Sequence, residues 1–470
     1  MYGSERTGGS RHRKRSTARH GKRPSLLKGN GDFFTAAAYL ILITLFGGGL
    51  ATWNIGYALV SLATIVLVLL LAWRDGFAVL GTLSPIARIA LVGIAILPLL
   101  QMIPLPPSIW QALPGQALRI ETLGLAGRAD TWQPLSMEPV STALCAILAT
   151  GFVAFMGFLL RLNDAQFRRM LHIALGLTLL GVVLGVSQVV SDGTFPKFHP
   201  ANTGATMLGF YANKNHMALA IACSIVLFGF VVSRQMFARD QRRLVNIGYI
   251  VFAMVCIVTT NSRAGLALGV LAAAAVFADL ARGVALKWKL AAVAGAVLFV
   301  VAILSTSAFE LVSGRIEDVD GDLRWQIASW SWPLAQRYGL LGSGVGSFTT
   351  LFAANEQLAW VKPTFVNSAH NEYLQLVIEF GVPGVLLLAA LVVSLPGPVR
   401  AFRGLSRKDP RRIEMLFGFA VVALFAFHSA VDYPLRRPAA WGLFALALAA
   451  IYRGAAVARA PIPTIRDDAS

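Results

Sequence analysis

The chain has 470 residues, 56% of them hydrophobic and only 14% charged, with a mean hydropathy of +0.65. That composition excludes an ordinary soluble globular protein. The formal net charge of +18 is spread over a tail and short loops, not gathered on one folded face, so no nucleic-acid partner is expected and the basic excess is assigned to the bilayer surface.

Residues 1–32 are rich in Arg and Lys (Arg11, Arg13, Lys14 and Arg15 among them) and poor in apolar residues, and read as a disordered basic cytoplasmic tail. Apolar stretches then run over 33–50, 55–73, 85–103, 139–160, 170–190, 209–233, 244–260, 264–281, 287–305, 371–395, 413–431 and 438–455. Each has about the 17–25 residues that cross a hydrocarbon core, which predicts an all-α polytopic membrane protein of about twelve transmembrane helices. With the N-terminus inside, the loops at 74–84, 161–169, 234–243, 282–289 and 396–412 and the tail 456–470 fall in the cytoplasm, and they are the basic ones. The predicted organisation is helices one to nine over 33–305, a large outer loop over 306–370 and helices ten to twelve over 371–455. Cys145, Cys223 and Cys256 lie in apolar stretches without metal-type spacing and read as packing residues.

Two outer segments are long. Residues 104–138 open with Pro104, Pro106, Pro107 and Trp110 and read as a tethered connector at the interface. Residues 306–370 are the place to seek function, because long loops in compact proteins are usually functional. Within them, Arg324 to Arg337 forms a short helix with a Trp-rich face, broken or kinked at Pro333. A turn follows with Gly339, Gly342, Gly344 and Gly346. It lacks the strand context and acidic residue of a dinucleotide loop and reads as close backbone packing. Asp318, Asp320 and Asp322 miss the spacing of an EF-hand; they read as a solvated acidic turn, with a divalent-cation site as the minority reading.

The loop ends at His370, where helical patterning resumes. An imidazole can take a proton from a sugar hydroxyl, although alone His370 reads more readily as a capping or solvated residue. Its company changes that. Lys214 and His216 open the sixth span, Arg263 opens the eighth, Arg436 and Arg437 precede the twelfth, and all map to the outer side. Cations at span mouths tend to face an aqueous cavity or bind substrate. Glu372 adjoins His370, and Glu379 is an intramembrane carboxylate that can pair with one of these cations or be satisfied near a helix break.

Four stretches, in this order and on one side, resemble the O-antigen ligase superfamily, which includes O-antigen and exopolysaccharide polymerases: Tyr211 to His216, Asn261 to Gly265, Arg324 through Phe348, and His370 to Leu374. The resemblance covers most of the chain and is specific in its second half. It implies a glycosyltransferase in the bacterial inner membrane that moves a glycan from undecaprenyl pyrophosphate at the periplasmic face to an acceptor sugar, lipid A–core or a growing polysaccharide. It implies no nucleotide sugar, no cofactor and no essential metal. Arg263 and Arg324 match the family's arginines, with Arg263 holding pyrophosphate, and His370 matches the histidine that closes the large loop. Electrostatic stabilisation of a diphosphate leaving group by Arg263, Arg324 and Lys214, with His370 as base, fits the chemistry as well. Ala328, flanked by Trp325 and Trp330, stands where relatives often carry a Trp, so the role of these tryptophans is open. His216, Glu372, Glu379 and Arg436 are supporting candidates. The rival class, a lipid-linked-sugar flippase or transporter, predicts internal repeats and midplane polar residues; the sequence has no repeat, and its polar clusters lie at one side.

Overall fold

The computed structural model describes residues 30–49, 55–199, 206–281, 319–361 and 365–457, with isolated positions between 285 and 295. In chain order the helices are α1 (Gly31–Phe46), α2 (Ile55–Asp75), α3 (Pro85–Gln101), α4 (Pro107–Trp110), α5 (Ala117–Leu125), α6 (Pro139–Arg161), α7 (Asp164–Val190) and α8 (Lys214–Val226). Then come α9 (Ser233–Met236), α10 (Gln241–Thr259), α11 (Arg263–Leu280), α12 (Val319–Tyr338), α13 (Phe348–Asn355), α14 (Glu372–Val393), α15 (Pro396–Gly404), α16 (Pro410–Ser429) and α17 (Pro438–Val457). A π turn over Leu227–Val232 fuses α8 and α9 into one span. Among the described residues nine helical segments are long and apolar enough to cross a bilayer, and α1 and α3 are shorter apolar helices. Together they overlap the expected apolar stretches other than the ninth. Most of that span (287–305) and most of both tails lie outside the described residues, as do Asp318 and the side chains of Asp320 and Asp322.

Two helices form the centre. The spans that begin at Lys214 and Pro438 are 94% and 89% buried, against 22% for the one that begins at Glu372. Small side chains allow this: Ala218, Ala220, Ala222 and Cys223 on α8, and Ala439, Ala440, Ala445, Ala447, Ala449 and Ala450 on α17, are all buried, and small residues let helix backbones approach in a medium where apolarity alone drives little association. One end of the bundle is closed by ion pairs. Arg161 bridges Asp32 and Asp75 at 2.8 and 2.5 Å, and Asp164 holds Arg411 and Arg453 at 3.0 and 3.2 Å. These residues come from the starts of α1, α7 and α16 and the ends of α2, α6 and α17, as alternating spans require.

The opposite end carries a folded cap instead of irregular loops. Residues 104–138 contain α4, α5 and a two-stranded antiparallel pairing of Pro104–Leu105 with Gln133–Pro134. Trp110 is fully buried and its indole N–H donates to Thr131 O at 3.0 Å, whereas Trp132 is exposed. This connector docks on the second outer segment: the Tyr338 hydroxyl donates to Gly115 O, and Met137 N to Ser343 O. In that segment α12 is longer than expected and runs through Pro333 unbroken. Ile327, Leu334 and Tyr338 on α12, with Phe348, Leu351 and Phe352 on α13, pack on Ile378 of α14 as a small second core.

The break comes in α14. Gly381 has φ 65°, a left-handed value, and interrupts the helical backbone nine residues after the start of the span. The glycine turn before α13 repairs the lost hydrogen bonds: Ser343 N donates to Ile378 O at 2.9 Å, Gly344 N to Glu379 O at 3.2 Å, and Val382 N to Gly339 O at 2.9 Å. Gln101 of α3 adds an N–H to Glu379 O at 2.8 Å. A Cβ at Gly342 would lie 2.2 Å from the Glu379 carbonyl oxygen, so close backbone packing is what these glycines provide.

Candidate functional site

The polar end of the bundle is built from helix starts. Asn213 caps α8, accepting from Asn215 N at 2.8 Å; Ser262 caps α11, accepting from Gly265 N at 2.9 Å; Asn371 caps α14, accepting from Leu374 N at 3.0 Å. The first two are joined by the Ser262 hydroxyl, which donates to Asn215 Oδ1 at 2.7 Å. Helix N-termini present a partial positive charge and unpaired N–H groups. Lys214 and Arg263 occupy the first positions of α8 and α11, half-buried and exposed respectively. Asn261, at φ 52°, makes the tight turn between α10 and α11.

At the centre stands Asp432, fully buried in the connection between α16 and α17. Its carboxylate accepts from Asn215 Nδ2 at 2.7 Å, Asn213 Nδ2 at 3.3 Å and Tyr433 N at 3.0 Å. Three imidazoles surround it: His370 Nδ1 at 3.6 Å, His216 Nε2 at 3.9 Å and His428 Nε2 at 3.9 Å. These separations exceed hydrogen-bond length. The Tyr433 ring lies edge-on to both His216 and His370, with centroids 5.2 Å apart in each case.

His370 has φ 48°, uncommon for a non-glycine residue, and backbone strain of this kind collects at functional sites. Its Nδ1 is buried on the Asp432 side while the side chain as a whole keeps 19% exposure. Arg324, half-buried on α12, is within electrostatic reach of His428. Beside His370, between α12 and α14, an open and mostly apolar groove of about 450 Å³ is lined by Trp332, Gln336, Asn371, Tyr373 and Val377, among others.

A second network separates from this one. Arg436 Nη1 binds Glu379 Oε2 at 2.6 Å and its Nε lies 3.1 Å from Glu372 Oε1. Glu379 Oε1 also accepts from Phe348 N at 3.1 Å and Gln375 Nε2 at 3.2 Å, and Glu372 Oε2 from Leu435 N at 3.3 Å. Arg436, Glu372 and Glu379 therefore tie α14 to the glycine turn and to the start of α17, with the arginine's charge matched by two carboxylates. Arg437 is buried, donates to the Tyr57 hydroxyl at 3.3 Å and lies over the Tyr433 ring.

The structure thus brings His370 and His216 together, sets Lys214 and Arg263 on neighbouring helix starts and brings Arg324 toward the same end. Sequence reasoning missed Asp432 as the hub, and Asn215 as the link between α8 and α11. The available signal was the i, i+4 pair of His428 and Asp432 at a helix end, facing the histidines of two other spans. Residues 248–389 match the O-antigen ligase family, a stretch that takes in Arg263, Arg324, His370, Glu372 and Glu379 and stops short of Asp432. No curated protein matches the chain closely enough to count as a relative.

Proposed function

We propose, from the match of residues 248–389 to the O-antigen ligase family, that this multi-pass membrane protein is a glycosyltransferase that moves a glycan from undecaprenyl pyrophosphate to a sugar hydroxyl, with lipid A–core as acceptor, at the periplasmic face of the inner membrane. The observation that carries the reading is the His370 imidazole, 3.6 Å from a buried carboxylate where three capped helix starts meet. With Nδ1 turned to Asp432, Nε2 is the nitrogen left to take the proton of the acceptor hydroxyl. The hydroxyl oxygen then attacks the anomeric carbon, the bond from that carbon to the diphosphate oxygen breaks, and undecaprenyl pyrophosphate leaves with the electron pair. Arg263, Arg324 and Lys214, with the helix N-termini, stabilise the charge that develops on it, the service a metal ion performs in other transferases. The apolar groove between α12 and α14 offers the polyprenyl chain a place beside the base. A large folded cap and a polar cluster at one end favour chemistry at one surface over translocation through the midplane.

In an assay with purified lipid-linked donor, His370→Ala and His370→Gln should each lower transfer by about 10²- to 10⁴-fold, the range expected for loss of a general base, while donor binding is retained. Arg263→Lys keeps the charge but loses the planar fork and should weaken donor binding. Near-normal transfer by both His370 variants would overturn the reading. Surface polysaccharide from a deletion strain separates the two acceptors: long chains left on the polyprenyl carrier mark a ligase, and single repeat units mark a polymerase.

A further inference from the structure

His216 and His428 are both fully buried, and all four of their ring nitrogens lack a hydrogen-bond partner. An imidazole carries two hydrogen-bonding sites, and leaving such a group unsatisfied in the interior costs on the order of 1–3 kcal/mol. Two neighbouring histidines in that condition point to a missing partner that both can share. Each turns Nε2 toward a different oxygen of Asp432, His216 toward Oδ1 and His428 toward Oδ2, both at 3.9 Å. One ligand atom from each of His216, His428 and Asp432 can be chosen so that the three lie within 4.8 Å of one another. A zinc ion with bonds of about 2.0–2.2 Å to nitrogen and oxygen holds tetrahedral ligands about 3.4 Å apart, so a small inward movement of each side chain closes the site.

The surroundings suit a cation. The ion-pair partners of Asp432 among the described residues are imidazoles, and its remaining contacts are the N–H donors of Asn213, Asn215 and Tyr433, which orient the carboxylate. We propose that His216 Nε2, His428 Nε2 and Asp432 bind one divalent transition-metal ion, Zn²⁺ by the chemistry of the donor set. Two imidazoles and one carboxylate suit zinc; calcium and magnesium prefer six or more oxygens. The ion pins the start of α8 to the end of α16 and fixes the carboxylate that faces His370. It is a positioning element under the base and has no contact with the diphosphate, which the arginines hold.

The proposal stands independently of glycosyl transfer, and its test reads metal, not activity. Full-length protein purified in detergent without a polyhistidine tag, then stripped with a chelator, is titrated with Co²⁺. Visible absorption of tetrahedral intensity should appear and saturate at about one ion per chain, disappear when Zn²⁺ is added, and be absent from His216→Ala and His428→Asn. Zn²⁺ should raise the melting temperature of the wild type and leave that of His428→Asn unchanged. Folded wild-type protein that takes up neither ion overturns the proposal, whether or not the variants fold. So does a His428→Asn protein that keeps the full complement, because the ion would then sit elsewhere, for instance on His12 and His20 of the tail. Metal uptake without transfer would refute the proposed function alone; transfer without uptake would refute the metal site alone.

Discussion

Arg436→Met separates two roles for a cation at the mouth of the bundle, because Met fills similar space without charge. If Arg436 served the donor, the variant would fold normally and bind donor poorly. The geometry gives the opposite expectation. Arg436 holds Glu379, which is fully buried, at 2.6 Å and Glu372 at 3.1 Å. Removing one partner of a buried pair typically costs about 3–5 kcal/mol. Here the stranded carboxylates keep other donors, Phe348 N and Gln375 Nε2 on Glu379 and Leu435 N on Glu372, so the loss should fall near the lower end, about 3 kcal/mol. The measurement is unfolding in mixed micelles followed by tryptophan fluorescence, for Arg436→Met, Glu379→Gln and the double variant. Because Glu379→Gln removes the charge that Arg436 neutralises, the double variant should be less destabilised than the sum of the singles, by about 1–3 kcal/mol of coupling. Donor affinity per folded molecule should be unchanged in Arg436→Met. A loss below about 1 kcal/mol, strict additivity, or a collapse of donor binding in a stable protein would each refute the clamp.

Gly342→Ala should leave little folded protein, since φ is +83° and the new Cβ would meet the Glu379 carbonyl oxygen at 2.2 Å; strain plus backbone displacement should exceed about 3 kcal/mol in the same unfolding assay. Ser262→Ala removes the α11 cap and the hydroxyl that bonds Asn215; it should cost about 1–2 kcal/mol and lower transfer by displacing Arg263. For topology, in a background lacking the three native cysteines, Leu358→Cys should react with an impermeant thiol reagent on intact spheroplasts and Ser406→Cys should not. Leu358 is 91% exposed, whereas Ser347 in the same outer segment is fully buried and would report nothing. Reversed labelling would overturn the orientation.

The sequence by itself marked the apolar helices that the described residues contain, because hydrophobic length is a local property. α2, α6 and α17 begin within a residue of their expected starts. It also marked the polar mouths, since a cation inside an apolar pattern is visible without any fold. Even the glycine turn was legible as close packing, because runs of glycine have few other uses. What it could not determine was which of those polar residues touch. Asp432 was not singled out, and Arg436 looked like one more cation available to an anion. Their roles depend on partners more than fifty residues away: Asn213, Asn215, His216 and His370 around Asp432, and Glu372 and Glu379 around Arg436. Charge and burial are set by the whole neighbourhood, and only packing α8, α14, α16 and α17 against one another decides which cation is neutralised by carboxylates and which is left at the edge of the site.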